Sequence, residues 1–495
     1  MTFASPDAAY IAPSSAQSKP DETQRLLKAF WVSLLAIFVV SAPNLIDPFI
    51  RHDDYPALFG DAQMFWGKTL TEGRWLNYLW HLRGIATPAW LNFAAYQILS
   101  ALLAAALAVA AMGREGHTWF IAALALFILG SVPATLISLW FNTLLPGLAV
   151  VALYAVLGCY LSQRSLRILL PLFVIVSFWA YPTYSLILLA VCLMRTKNRS
   201  FADLAGLMVL FIASFAAAVL LTYTINWYVH GIFGVPLADW REATPASGLT
   251  GMIENLPYVL ETFRILLVTN SYNFLPAGYF HIALLIVATG VLIKHAPKEA
   301  LYLHAGLWAG IALMVLQSLK LGVAIPSRAF SFAWIYYAVI VVRATALMSQ
   351  HTNLSGRLMR NCTLLIALSY LLQTFFQYAT YHPWQAETRL LAERLRNVDP
   401  AIERPVLVYG DVETLESAKA AHLQRDLALT FRIQQLTGHK IVLCHSEPKA
   451  CTDIEQTRKD QGLPPAWVTV VPDLEGERRF TEPSPSIGEA VVGSA

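Results

Sequence analysis

Charged residues are scarce in this chain of 495 amino acids: Asp, Glu, Lys and Arg together make up 14%, whereas ordinary globular proteins carry about a quarter. Hydrophobic residues make up 56%. A soluble chain of this length would form roughly two to four domains, each with a charged surface. The first 380 or so residues cannot supply such a surface. The composition therefore excludes a soluble protein and predicts a polytopic membrane protein.

A strongly basic character and the common catalytic motifs are also missing. The net charge of +3 is too small to indicate nucleic-acid binding. The sequence contains no Walker loop, no GxGxxG after a strand, no nucleophile elbow and no HExxH motif. His52, His81 and His117 do not have the spacing of metal ligands. These absences leave no signature of a nucleotide-binding protein, a serine hydrolase or a zinc protease.

Apolar runs of about 20 residues mark the transmembrane helices, and the Lys/Arg bias of cytoplasmic loops sets their direction. Residues 1–27 are polar and lack periodicity, which predicts a disordered cytoplasmic tail. A cleaved signal peptide is the alternative for the first apolar run, and either alternative leaves the following segment outside. Single spans are predicted near residues 29–46, 92–112, 118–137, 142–161, 201–224, 277–293, 300–318, 329–347 and 361–380.

The apolar stretch at residues 169–194 allows two topologies. Its length suits one tilted span, but basic residues flank both ends, and a single crossing would place one basic cluster on the wrong side. In the alternative, the chain turns at residues 179–183, where Pro182 disfavours helix, and forms a hairpin of two short helices. We favour the hairpin, because the later loops then keep their basic residues inside. The bundle has about eleven spans in this topology, with the N-terminus inside and the C-terminus outside.

The chain after the last span has another composition. Residues 28–380 form the predicted transmembrane domain, and residues 381–480 predict a small α/β domain outside the membrane. In that domain RPVLVYGD, HKIVLCHS and WVTVVPD are predicted strands, and AETRLLAERLRN and residues 412–437 are predicted helices. Residues 481–495 predict a disordered tail. The fold class is thus mostly α: a polytopic transmembrane helical bundle with a small C-terminal α/β domain.

The five cysteines divide between these two regions. Three lie in or beside apolar spans, where buried thiols are expected. Cys444 and Cys451 lie in the C-terminal domain, and in an oxidising compartment we expect a disulfide between them. A metal site that includes His445 is the alternative, but no second pair of ligands supports it.

Two adjacent carboxylates follow the first span. Asp53 and Asp54 lie in the first outside loop, residues 47–91, beside Arg51 and His52. Adjacent residues of an extended segment point in opposite directions. We therefore expect one carboxylate to face a reacting centre while a cation holds the other. A solvated turn at the end of a helix is the alternative for such a pair.

The same loop contains a candidate phosphate-binding cation. Residues 61–80 predict a helix that is interrupted at Gly73-Arg74-Trp75, where the glycine lets the backbone turn and the guanidinium emerge. Arginine binds phosphate through paired hydrogen bonds. A second outside segment, residues 225–276, contains an amphipathic helix that would lie on the membrane surface. Carboxylates and a phosphate-binding group thus occur together on one loop against the membrane.

These features resemble a known family. An acidic pair directly after the first transmembrane helix, followed about 20 residues later by Gly-Arg-Trp, is similar to the polytopic O-antigen glucosyltransferases of the Gtr type, in the membrane glycosyltransferase C class. The matching residues are His-Asp-Asp at 52–54 and Gly-Arg-Trp at 73–75, together with SFWAYPTY at 177–184. The hydropathy pattern extends the resemblance through most of residues 28–380. The C-terminal domain has no counterpart in it.

The resemblance implies a transferase of the bacterial inner membrane, with the C-terminal domain in the periplasm. Such an enzyme moves a hexose, glucose in this family, from a polyprenyl phosphate to an envelope glycan such as O-antigen. In this class an acidic residue of the first outer loop is the catalytic base or orients the acceptor, and the matching positions here are Asp53 and Asp54. The chemistry agrees, because a lipid phosphate leaves readily. The enzyme then needs a carboxylate for the proton of the acceptor hydroxyl and cations for the departing phosphate.

Arg74, Lys320 and Arg328 are the candidate phosphate ligands. Lys320 and Arg328 flank a short outside loop, SLKLGVAIPSRAF. Positive charge outside runs against the usual bias, which favours an anionic partner. Snorkelling of these side chains to lipid headgroups is the alternative.

Three aromatic residues of the first loop, Tyr55, Trp66 and Trp75, are candidate platforms for sugar rings. Anchoring at the membrane interface is the alternative for each of them. No cofactor is assigned from the sequence. A divalent cation stays open, because a carboxylate pair can hold one beside a phosphate.

Two other functions compete with the transferase. A glycan polymerase or ligase of the envelope would carry its main functional loop, rich in arginine, late in the chain, whereas the acidic pair here is early. A flippase or transporter would place ionisable residues inside the spans and show repeated halves, but these spans carry almost no charge and show no repeat. The predicted partners are therefore a polyprenyl-phosphate sugar donor, an envelope glycan acceptor and the lipid bilayer, and no nucleic acid.

Overall fold

The computed structural model describes residues 22–113, 117–238, 241–349, 354–423 and 427–470. Within them the protein is mostly helical, with one small sheet of three strands. The predicted tail at residues 1–27 lies outside the described residues as far as residue 21. Helix α1 begins at Glu22, so residues 22–27 are helical and the predicted boundary at residue 28 is too late. The predicted tail at 481–495 lies outside the described residues altogether.

Most of the chain is a helical membrane bundle. Eight helical segments are long and apolar enough to cross a membrane, which makes the protein a multi-pass membrane protein. In chain order the helices of this part are α1 (Glu22–Val40), α2 (Tyr55–Phe59), α3 (Gln63–Glu72), α4 (Trp75–His81), α5 (Ala89–Met112), α6 (Thr118–Leu129), α7 (Val132–Ile137), α8 (Phe141–Tyr160), α9 (Gln163–Phe178), α10 (Tyr184–Arg195), α11 (Phe201–His230), α12 (Leu249–Glu254), α13 (Leu256–Leu267), α14 (Leu275–His295), α15 (Pro297–Leu321), α16 (Ser331–Met348) and α17 (Leu354–Ala379).

The sequence predicts about eleven spans, whereas eight helical segments are long enough to cross a membrane. The other three predicted spans correspond to short helical regions. Residues 118–137 are not one helix but two, α6 and α7, because the backbone of Ser131 is extended and its hydroxyl accepts the N–H of Ala134 at 3.1 Å. Helix α6 has 12 residues and is about 18 Å long, shorter than a hydrocarbon core of about 30 Å. The other two regions are the short helices α9 and α10.

Helices α9 and α10 form an antiparallel hairpin, the topology that we favour from the sequence. At the turn, the hydroxyl oxygens of Ser177 and Ser185 lie 3.2 Å apart. At the open end, Arg167 Nη2 donates to Thr196 Oγ1 at 2.9 Å. Helix α10 is buried along nearly its whole length. This burial meets the requirement that a helix too short to cross must be shielded by protein.

The C-terminal domain is built on a parallel sheet. Its three strands have the order β2-β1-β3, and both neighbouring pairs are parallel. The three predicted strands are confirmed, while residues 412–437 form two helices, with residues 424–426 outside the described part. In chain order the elements are α18 (His382–Val398), β1 (Val406–Tyr409), α19 (Glu416–Ala420), α20 (Leu427–Thr437), β2 (Ile441–Leu443), α21 (Pro448–Asp460) and β3 (Trp467–Val470).

The predicted disulfide between Cys444 and Cys451 is confirmed. The first cysteine directly follows β2 and the second lies in α21, so the bond ties this helix to the sheet. Both cysteines are buried in a small apolar cluster with Leu407 and Val442.

The C-terminal domain packs on the segment that precedes the two aspartates. Arg432 of α20, whose side chain is 2% exposed, forms an ion pair with Asp47. The ring of Phe431 stacks on the ring of Tyr55, with 5.6 Å between their centroids. Residues 47–59 are therefore held between the membrane bundle and the C-terminal domain.

Removal of the disulfide is expected to loosen the C-terminal domain without unfolding the bundle. A bridge across seven residues of sequence contributes about 2 kcal/mol, mainly by restricting the unfolded chain. The double variant Cys444→Ala/Cys451→Ala should therefore open this domain about 30-fold more often, measured as the rate of limited proteolysis of the full-length protein without reductant. Cys362→Ser, which alters a free thiol, is the control. Equal cleavage rates in the double variant and the control would contradict a stabilising role for the bond.

Candidate active site

The first loop folds back on the bundle at Gly73. The predicted helix at residues 61–80 is two helices, α3 and α4, and Gly73 between them has a φ of +68°, a conformation that glycine adopts without strain. A Cβ at this position would lie 3.0 Å from the side chain of Thr222 in α11. The glycine thus provides the turn expected from the sequence and permits close contact with α11.

Asp54 anchors the loop to the start of α8. Its carboxylate is fully buried and accepts hydrogen bonds from the N–H of Asn142 at 3.0 Å, the side-chain amide of Asn142 at 2.9 Å and the N–H of Thr143 at 2.7 Å. The first N–H groups of a helix lack partners inside the helix and attract negative charge. Burial raises the pKa of Asp54 to about 7, against the hydrogen bonds from Thr143 and Asn142, which lower it.

Asp53 is the more accessible carboxylate of the pair. Its side chain is 35% exposed, its Oδ1 accepts the indole N–H of Trp140 at 2.6 Å, and its Oδ2 lies 3.7 Å from Lys68 Nζ. Burial alone would raise the pKa of Asp53, but Lys68, His52, Arg74 and the Trp140 hydrogen bond together hold it below its ordinary value. Asp53 is therefore ionised at neutral pH and able to accept a proton.

The two carboxylates have different surroundings, but not the ones expected from the sequence. The sequence predicts that a cation holds the carboxylate that faces away from the reacting centre. Instead, N–H groups at the start of α8 hold Asp54, and Lys68 lies beside Asp53, the carboxylate that remains accessible.

Arg328 lies on the same tryptophan as Asp53. Its guanidinium carbon is 4.5 Å from the centre of the Trp140 ring, while the indole N–H of Trp140 donates to Asp53. Arg328 is half-buried and forms no ion pair with any carboxylate of the described residues. A cation held on an aromatic ring without its own counter-ion suits an anionic ligand.

Two more arginines extend the positive charge. Arg74 Nε lies 2.6 Å from Glu72 Oε2, and its guanidinium carbon is 5.9 Å from the centre of the Tyr181 ring. Burial lowers the pKa of Arg241; Glu72 opposes this effect, and the cations of Arg74 and Arg328 add to it. The three guanidinium groups therefore share one electrostatic environment.

Four basic side chains form the group that we call the cation cluster: Lys68, Arg74, Arg241 and Arg328. The cation cluster and Asp53 together are the candidate site. The carboxylate of Asp53 lies beside Lys68, and the carboxylate of Glu72 forms an ion pair with Arg74. Among the described residues Arg328 has no carboxylate partner, and an anionic ligand would balance its charge.

Two other predicted site residues are engaged elsewhere. Lys320 Nζ donates to the carbonyl of Ala246 at 2.7 Å and so holds the loop that precedes α12. Tyr55 is buried and packs on Phe431 of the C-terminal domain. The structure therefore brings Asp53, Arg74 and Arg328 together but leaves these two side chains in structural contacts.

The two predicted tryptophan platforms belong to an aromatic cluster that joins the loop to α11. The rings of Trp66 and Trp75 meet edge to face, with 6.2 Å between their centroids. Trp75 is buried, and its indole N–H donates to Asn226 Oδ1 at 2.9 Å. Trp66 packs against His230 at 4.6 Å. These contacts pack the first loop against α11.

Sequence reasoning did not identify Trp140, Lys68 or Arg241. Trp140 is 87 residues from Asp53, and no local motif joins the two. Lys68 and Arg241 could have been recognised, because both are basic residues in predicted outside segments. Lys320 and Arg328 were selected as candidates for this same reason. The same argument applied to every outside basic residue would have found them.

A cavity of about 490 Å³ lies in the loop after α11, lined by residues that include Val235, Glu242 and Leu321. Val235 packs beside Gly73, next to the cation cluster. Glu242 has a φ of +46°, a left-handed conformation that is strained for a residue with a side chain. This cavity provides space for a second ligand near the candidate site.

The two adjacent aspartates have different partners. Among the described residues, no group of three or more His, Cys, Asp or Glu side chains could hold a metal ion. Asp54 is bound by the start of α8, and Asp53 contacts Trp140 and Lys68.

Replacement of Asp54 by alanine is expected to destabilise the protein. The change leaves the N–H groups of Asn142 and Thr143 buried without an acceptor, which costs about 2–3 kcal/mol. Asp54→Ala should lower the thermal unfolding temperature of the purified protein by several degrees. Asp61→Ala is the control, because this exposed carboxylate of the same loop accepts only the N–H of Gln63. Equal unfolding temperatures for both variants would refute the anchoring role.

Searches against protein-family models, curated proteins and solved structures found no match.

Proposed function

We propose that the protein is an integral-membrane glycosyltransferase that moves a hexose from a polyprenyl-phosphate donor to a glycan of the cell envelope. The family resemblance suggests glucose as the sugar and O-antigen as the acceptor. The observation that supports this proposal best is an ionised, accessible carboxylate, Asp53, beside the cation cluster at one end of a membrane bundle.

Asp53 acts as the general base in this proposal. The acceptor hydroxyl gives its proton to the Asp53 carboxylate while its oxygen forms a bond to the anomeric carbon of the sugar. The bond between the anomeric carbon and the phosphate oxygen breaks, and the lipid phosphate leaves with the electron pair. One displacement of this kind inverts the configuration at the anomeric carbon.

The cation cluster stabilises the leaving group. The donor phosphate is a diester with one negative charge, and it becomes a monoester with nearly two as it departs. Positive groups placed where charge develops lower the barrier more than they strengthen substrate binding. Arg328 is the best placed to bind the phosphate, because Arg74 shares its charge with Glu72.

The disulfide supports a periplasmic site. A bond between Cys444 and Cys451 indicates an oxidising compartment. The C-terminal domain that carries this bond packs on Tyr55 through Phe431. Asp53 is two residues from Tyr55, so the candidate site lies on the same side of the membrane as the disulfide.

The surface near the site suits a lipid donor. Helix α13 exposes apolar side chains, among them Leu256 at 48% and Leu260 at 70%. An amphipathic helix of this kind lies at the membrane surface with its apolar side in the lipid. The polyprenyl chain would remain in the bilayer while its phosphate reaches the cation cluster.

The variant Asp53→Asn tests the role of the base. Loss of a general base lowers the rate about 10²- to 10⁴-fold, so transfer from polyprenyl-phosphate glucose to a periplasmic glycan should fall by at least that lower factor in the purified protein. Asp61→Asn, in the same loop, should keep the wild-type rate. Wild-type transfer by Asp53→Asn would disprove the assignment. Movement of the donor across liposomes without sugar transfer would instead favour a flippase.

The variant Arg328→Gln tests the phosphate contact. Loss of a charge-assisted hydrogen bond costs about 1.5–3 kcal/mol, which corresponds to a decrease in kcat/KM of about 10- to 100-fold. Most of this decrease should lie in kcat, because the phosphate charge grows during the reaction. Arg264→Gln, which alters an exposed ion pair with Glu261, is the control. Equal kcat/KM values for both variants would show that Arg328 does not bind the phosphate.

A further inference from the structure

A second cavity lies at the opposite end of α9 from the first loop. It has a volume of about 550 Å³ and is lined by Gln163, Arg164, Arg167, Ile168, Pro171 and Leu210. At the far end of the same helix, the carbonyl of Trp179 accepts the N–H of Leu76 in the first loop. Helix α9 has 16 residues and is about 24 Å long. The cavity is therefore separate from the candidate site, and its size is typical of a ligand pocket.

The cavity has a polar half and an apolar half. Gln163 and Arg164 lie in the first turn of α9, at one side of the cavity. Ile168 continues the wall on the other side and is 68% exposed, and the next apolar residue of this surface, Leu172, is 58% exposed. The apolar half thus opens onto the lipid-facing surface, so the shape suits a ligand with a polar head and an alkyl chain.

Arg167 adds a fixed guanidinium group to the cavity wall. Its two terminal nitrogens donate to the carboxylate of Asp203 at 2.6 and 2.7 Å, which fixes the guanidinium and balances its charge. The wall is therefore rigid at this point, and any excess charge of the cavity comes from other residues.

Two cations at the mouth of the cavity lack counter-ions. Arg164 and Lys197 are exposed, and neither forms an ion pair within the part of the chain that the structure describes. The backbone N–H of Lys197 donates to Gln163 Oε1 at 3.3 Å, which places Lys197 beside the polar half. The mouth therefore carries an excess of positive charge next to an exit into the lipid. Basic pockets between transmembrane helices are suited to anionic headgroups.

We propose that this cavity binds an anionic glycerophospholipid. The phosphate contacts Arg164 and Lys197 beside the fixed guanidinium of Arg167, and an acyl chain lies along Ile168 and Leu172. The lipid would thus bridge the start of α9 and the segment between α10 and α11, and so stabilise the open end of the hairpin. The proposal is independent of the glycosyltransferase activity.

The experiment measures lipid binding to the full-length protein after removal of lipid in detergent. Native mass spectrometry should detect one tightly bound phosphatidylglycerol, with phosphatidylcholine bound at least 10-fold more weakly. Thermal unfolding should occur several degrees higher with phosphatidylglycerol than with phosphatidylcholine. Inorganic phosphate should not produce this shift. Equal binding of the two lipids, or an equal shift with phosphate alone, would overturn the proposal.

Two variants test the two halves of the cavity separately. Arg164→Gln/Lys197→Gln removes the unpaired charges, and Ile168→Trp fills the apolar half without a change of charge. All three residues are exposed, so the fold should persist, and circular dichroism checks it. Each variant should weaken phosphatidylglycerol binding at least 10-fold, whereas Arg360→Gln, an exposed basic residue of α17, should not. Wild-type binding by both cavity variants would show that the lipid binds elsewhere.

Discussion

The contact between the Asp54 carboxylate and the first turn of α8 is the constraint on which the candidate site depends. It ties the first loop to the bundle through two backbone N–H groups and one side-chain amide. Trp140 directly precedes α8 and donates its indole N–H to Asp53. The start of α8 therefore holds both members of the acidic pair. Backbone N–H groups of α8 bind Asp54, and the adjacent Trp140 side chain binds Asp53. The base is fixed against Trp140, the same ring on which Arg328 lies.

The C-terminal domain constrains the same loop from the other side. Arg432 is buried in its ion pair with Asp47, and loss of Asp47 would cost about 3–5 kcal/mol, because the Arg432 charge would remain buried without its carboxylate. Stacking of Phe431 on Tyr55 adds a second contact two residues from Asp53. The domain without a counterpart in the family resemblance is thus placed to hold the first loop.

Features with a local signal could be predicted from the sequence, and features made by distant contacts could not. Pro182 predicts the break in the hairpin, β-branched runs predict the three strands, and Gly73 predicts the turn next to Arg74. Hydropathy gives the length of an apolar run but does not register a cap such as Ser131, which divides residues 118–137 into two helices. Basic residues in outside segments were recognisable, but their partners were not: Lys320 binds a backbone carbonyl, whereas Arg328 lies on Trp140 without a counter-ion.

The central claim is that Asp53 is the base and the cation cluster binds the phosphate. The most direct measurement is a cryo-electron microscopy structure of the full-length protein with a polyprenyl phosphonate analogue of the sugar donor, which cannot react. The account predicts that phosphonate oxygens contact Arg328, and that the Asp53 carboxylate faces the anomeric carbon with room for one acceptor hydroxyl between them. A phosphonate bound away from Arg328, or an Asp54 carboxylate released from α8 and facing the sugar in place of Asp53, would contradict it.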